Sequence, residues 1–147
     1  MDKFAASLFC ILSCVFSLSC STYTTGLQQS VARADEIAAI SSMRAVSMAQ
    51  RAYAVSNSGA FANFPQLVEG GYLESRFNSD APQIKDYVFR MTVRPGSGAS
   101  PDFYSCNADP VGSGDTKGRY LYIDSASPEV KVNATQPAGA EDPAYSP

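Results

Sequence analysis

Few side chains in this 147-residue sequence are suited to chemistry. Histidine is absent. That removes histidine metal sites, Ser-His-Asp and Cys-His nucleophile systems, and any histidine pH switch. Of the four cysteines, Cys10, Cys14 and Cys20 fall in the first twenty residues, and Cys106 is left alone in the rest. With no imidazole to activate its thiol, Cys106 reads as a small buried strand residue. Asp35 and Glu36 are adjacent, so on a helix they diverge by about 100° and cannot act as a paired acid and base. Asp109, Asp115 and Asp124 could line a weak calcium site, but they lack EF-hand spacing and read first as solvated turn carboxylates. Gly112 to Gly118 (GSGDTKG) is rich in glycine and holds Lys117. Its order is not that of a phosphate loop, and it precedes a strand instead of opening a helix. Asn133-Ala134-Thr135 fits a glycosylation sequon. No catalytic set, metal or cofactor is expected.

Composition agrees. The chain is 45% hydrophobic and 17% charged, with 11 basic and 14 acidic side chains and a net charge of −3. That supports one modest core and argues against nucleic acid as a partner. The N-terminus reads as an export signal. Lys3 is its only basic residue, and Phe4 to Ser19 is a run of sixteen residues without a charge. This is shorter than the roughly 20 residues of a membrane-spanning helix. Ser19-Cys20 resembles a bacterial lipoprotein signal, which implies that Cys20 is lipidated and begins the mature chain. The leucine such signals favour three places before the cysteine is Ser17 here, with Leu18 one place late. Ile11-Leu12-Ser13-Cys14 matches the residue pattern but leaves a signal of thirteen residues. Cleavage without lipid and a retained signal anchor are the other readings. Roughly two or three acyl chains, at about 0.8 kcal/mol per buried CH₂, would hold the protein on a bilayer.

The positioning elements follow. Residues 27–56 contain no Gly or Pro and are rich in alanine, which predicts a helix of about 45 Å with Ser30 as a cap and Asn57-Ser58-Gly59 as a stop. At 100° per residue, Ala32, Ala39, Met43, Val46, Gln50 and Tyr53 share one side. Arg33, Arg44 and Arg51 fall within about 20° of one another on the opposite side, with Ile37, Met48 and Val55 beside them. That second face reads either as an exposed amphipathic surface or as a contact for a neighbouring protein or lipid headgroups. Residues 60–78 read as a loop with short helical turns broken at Gly70-Gly71. Their aromatic residues Phe61, Phe64, Tyr72 and Phe77 are expected to pin the segment to the core. Alternation from Tyr87 to Arg94 predicts a half-buried strand. Phe103 to Ala108, Arg119 to Asp124 and Glu129 to Asn133 are the further strands, separated by turns. The expected fold class is α+β, one long N-terminal helix packed on a three- to four-stranded antiparallel sheet. The expected division is a signal at 1–19, a polar linker at 20–26, the folded domain at 27–134 and a flexible tail at 135–147.

This order resembles the globular head of type IV pilins and type II secretion pseudopilins. The strings that carry the resemblance are Ala32-Arg33-Ala34-Asp35-Glu36 with Ser42 to Val46 and Ala49 to Tyr53, then Phe64 to Leu73. Asp86 to Phe89, Phe103 to Pro110, Gly118 to Asp124 and Val130 to Asn133 complete it. It covers about residues 27–135. Three features of polymerising pilins are missing. There is no Gly-Phe processing site with a glutamate at the fifth mature position. Residues 20–30 (CSTYTTGLQQS) are polar where an apolar helical spine would run, and Cys106 has no partner for a C-terminal disulfide loop.

The resulting expectation is a non-enzymatic, pilin-like lipoprotein, exported and anchored in the bacterial cell envelope, at the periplasm or outer surface. Membrane lipid is its partner through the acyl chains on Cys20. Pilin or secretion proteins are partners through Ile37, Arg44, Met48 and Arg51. The alternatives are an exported module that captures a small ligand or polysaccharide with the aromatic connector and the Asp109–Gly118 loop, or a true filament subunit.

Overall fold

The computed structural model describes residues 2–97, 100–112 and 117–146, with side chains from residue 26 onward. It is an α+β arrangement with a long helix, α1 (Asp2–Ser56), whose stretch from Asp35 to Gln50 packs on one face of an antiparallel sheet. The boundary that sequence reading placed between residues 26 and 27 has no counterpart in the backbone, because α1 runs through it. Ser30 is therefore not a cap. Its hydroxyl donates back to the carbonyl of Gly26 at 2.9 Å, a bond available only inside a helix. The stop falls where the sequence places it. Ser58 and Gly59 take positive φ angles of 57° and 91°, and the Gly59 N–H returns to the Ala54 carbonyl at 2.9 Å. Such a left-handed step closes a helix by satisfying its last carbonyls.

The connector folds as a short helix, α2 (Phe64–Glu69), and a 3-10 turn over Ser75–Phe77. Asn63 opens α2 with a reciprocal cap: its side chain accepts from the Gln66 N–H, and the Gln66 side chain accepts from the Asn63 N–H. Phe64, Leu67 and Phe77 are buried. Phe77 lies between Phe64 and Phe89, with ring centroids 5.7 and 5.9 Å away.

The sheet is a five-stranded meander in the order β1 (Gln83–Ile84), β2 (Tyr87–Arg94), β3 (Phe103–Pro110), β4 (Tyr120–Asp124) and β5 (Lys131–Asn133). The two-residue β1 is the strand that sequence reading lacked, being too short to show a period. Lys85 stands in the left-handed region, at φ 53°, within the tight turn from β1 to β2. Alternation works as expected. Tyr87, Phe89, Tyr104, Cys106, Ala108, Leu121, Ile123 and Val132 point inward, toward Ala39, Ile40, Met43 and Val46 of α1. Cys106 is fully buried, with its sulfur 3.7 Å from that of Met43.

The C-terminal segment corrects an expectation. Sequence reading made 135–147 a mobile tail, because it holds prolines and few large apolar residues. The described residues of that segment form a strap instead. The Ala138 carbonyl accepts from Asn107 on the outer face of the sheet at 2.8 Å, and Ala138 is buried. The chain then turns round the edge of β5. The Val132 N–H donates to Pro143 O at 2.9 Å, and the Tyr145 N–H donates to Val130 O at 2.7 Å. Tyr145 ends against the core near Ile37 and Ile40. Backbone hydrogen bonds to an open strand edge hold the strap where hydrophobicity alone would not.

Candidate functional site

The two acidic residues of α1 act separately, as their divergence requires. Asp35 is buried and accepts from Lys85 Nζ at 2.8 Å. Glu36 accepts three hydrogen bonds from Arg119: from its backbone N–H at 3.0 Å, Nε at 3.1 Å and Nη2 at 2.6 Å. Each acid ties the helix to a different sheet loop. Glu36 raises the pKa of the Arg119 guanidinium, through its hydrogen bonds first. The Arg119 guanidinium also lies over the Tyr145 ring, 5.1 Å from the centroid. Below it, the Tyr87 hydroxyl donates to the Arg119 carbonyl at 3.0 Å. Burial, then the nearby Glu36 charge, holds that hydroxyl well above the usual tyrosine range. Residue 118 must be glycine here, because a Cβ would sit 2.1 Å from the Tyr87 oxygen.

With both acids turned to the sheet, the opposite face of α1 is basic and apolar. Ile37, Met48 and Val55 are 58%, 65% and 89% exposed, and Arg44 and Arg51 are exposed beside them. Among the described residues, no acidic side chain is within ion-pair distance of Arg33, Arg44 or Arg51. Sequence reading named Ile37, Arg44, Met48 and Arg51 as one face, and the structure brings them together along one side of the helix. It missed Tyr145, which joins that face from the far end of the chain. It also missed the Glu36–Arg119 pair, which spans 83 residues. No local signal marks either contact. Cys20, the lipidation candidate, lies outside the residues whose side chains are described.

Other candidates disperse. Strand register sets Asp124 opposite Ser105, four positions along β3 from Asp109. Asp109 pairs with Arg90. Asp124 accepts from the N–H groups of Ala126 and Ser127, both at 2.9 Å, and so shapes a turn. Asp115 lies outside the described residues. Among those described, no group of three or more acidic, cysteine or histidine side chains is placed to hold a metal. Asn133 of the sequon donates its side-chain nitrogen to Asp142 and accepts from the Thr135 and Gln136 N–H groups. The connector's Phe64 and Phe77 rings are enclosed, which leaves neither as a platform for a ligand. Burial pushes the Cys106 thiol far up from its usual range, so it stays protonated and unreactive. No helix among the described residues is long and apolar enough to cross a membrane. Comparison with known protein families, characterised proteins and solved structures gave no match.

Proposed function

We propose that this chain is a non-enzymatic, pilin-like lipoprotein of the bacterial cell envelope, an accessory or structural component of a pilus or secretion apparatus. It is held on lipid through Cys20 and acts by protein contact through the outward face of α1. One observation carries the contact half of this reading: Ile37 and Met48 are exposed in line with Arg44 and Arg51, which meet no acidic side chain among the described residues, while Asp35 and Glu36 are both engaged with the sheet. Large exposed apolar residues in line with unpaired arginines suit a polar-rimmed protein interface. The absence of histidine and the burial of Cys106 support the non-enzymatic half.

Two measurements test it. Intact mass of the protein extracted from membranes should give a chain that begins at Cys20 and carries acyl groups. A chain beginning elsewhere without lipid removes the anchor. Double charge reversal, Arg44→Glu with Arg51→Glu, should abolish co-purification with the envelope assembly without lowering the melting temperature. Unchanged co-purification removes the contact face.

A further inference from the structure

Two recesses lie side by side along α1, of about 600 Å³ and about 340 Å³, and both are walled by Ile37 and Tyr145. The first reaches Arg33 and the Glu36–Arg119 pair; the second reaches Ile40 and Arg44. Together they form one trough between the helix and the end of the C-terminal strap. Its middle is apolar. Its ends are Arg33 and Arg44, about 16 Å apart along the helix axis. Glu36 is the acid lining it, and its carboxylate is already occupied by Arg119. The chain as a whole carries a net charge of −3, so this unpaired positive charge is a local feature and not a general one.

We infer that the trough docks a narrow acidic segment of a partner protein, with an apolar side chain set between Ile37 and Tyr145 and carboxylates reaching Arg33 and Arg44. The inference deepens the proposed function and rests on it, since it names the chemistry of the partner on that face. Charge complementarity selects acid, because the guanidinium groups of Arg33 and Arg44, which meet no carboxylate among the described residues, frame the groove. Its concavity selects a narrow element. An anionic bilayer is broad and flat and would meet the ridge of Ile37, Met48 and Val55, not the recess between Ile37 and Tyr145; the other exposed apolar residues of the helix lie off that ridge. Leu27 and Val31 project about 80° and about 120° away from Ile37 around the helix.

The test is titration of the full-length protein with a fluorescein-labelled alternating glutamate–leucine peptide (ELELELE), read by anisotropy. The lysine counterpart (KLKLKLK) serves as control. The glutamate peptide should bind saturably and the lysine peptide should not. Arg33→Glu should weaken binding about fivefold, and Arg51→Glu, outside the trough, by less than about twofold. Equal binding of both peptides, or an Arg33→Glu variant indistinguishable from the parent, overturns the inference. So does a protein that ignores the peptide and instead sediments with phosphatidylglycerol vesicles in an Arg33-dependent way. Those outcomes are separable from the proposed function, which is read from co-purification of the Arg44→Glu, Arg51→Glu double variant. A partner lost with Arg51→Glu but kept with Arg33→Glu leaves the contact face standing and the trough refuted.

Discussion

Gln50 offers residue 62 the two hydrogen-bonding groups that a neighbouring strand would offer. Its side chain is fully buried, accepts from the Ala62 N–H at 3.1 Å and donates to the Ala62 carbonyl at 2.6 Å. Gln50→Leu preserves volume but strands both backbone groups. The expected loss is about 2–4 kcal/mol, measured by urea unfolding. A second residue-scale prediction concerns alkaline pH. Burial raises the hydroxyls of Tyr87 and Tyr104 above the usual 10.0. Tyr122 is pushed up to about 12, by burial first and then by its hydrogen bond to Asp124. Cys106 is raised above its usual 9.0 in the same direction. The folded chain thus holds these protons to higher pH than the unfolded chain does. The stabilisation is complete below the unfolded values and is lost as pH climbs through the folded ones. The melting temperature should fall between about pH 9 and about pH 12, and Tyr87→Phe should make that fall shallower. Cys106 as a buried strand thiol was legible in the sequence, since a lone cysteine among alternating residues has one bland reading. Gln50 was legible only as a member of the inward helix side, because its partner is fixed by where the connector passes.

At the scale of elements, the helix and sheet are fastened by ion pairs as well as by the core. The Glu36–Arg119 pair is partly shielded and chelated through three hydrogen bonds. A double-mutant cycle with Glu36→Gln and Arg119→Met should return a coupling of about 1 kcal/mol. The strap makes the sharper prediction. Removing residues 137–147 uncovers the edge of β5 and takes Tyr145 from the core, and should cost about 2–4 kcal/mol. In the intact protein, hydrogen exchange should show protected amides at Val132 and Tyr145. Free exchange at both would restore the mobile tail. The helix stop and the four longer strands were legible from periodicity and from turn residues. The strap was not, because its stabilisation comes from main-chain groups that any sequence carries.

At the scale of the whole molecule, the sign of charge is sorted by face. Asp35 and Glu36 turn toward the sheet loops, while Arg44 and Arg51 are exposed on the other side of α1. The protein is acidic overall, so its contacts through α1 should weaken as salt rises while its fold does not. Co-purification at about 0.05 M and about 0.5 M salt, set beside melting curves at the same two concentrations, checks this. Loss of the fold in step with loss of the partner would assign the arginines to stability instead.

The sequence alone determined the α+β class, the inward and outward sides of α1, the face shared by Ile37, Arg44, Met48 and Arg51, and the reading of Cys106 as a lone buried strand residue. All of these follow from period, residue type and the absence of histidine, which are local properties. Only the tertiary structure decided that Glu36 meets Arg119, that Gln50 serves Ala62, and that Tyr145 returns to wall a trough on the arginine face. Those contacts join residues far apart in the chain, and their geometry is set by strand register and by the path of the strap. Neither leaves a pattern in the residues it brings together.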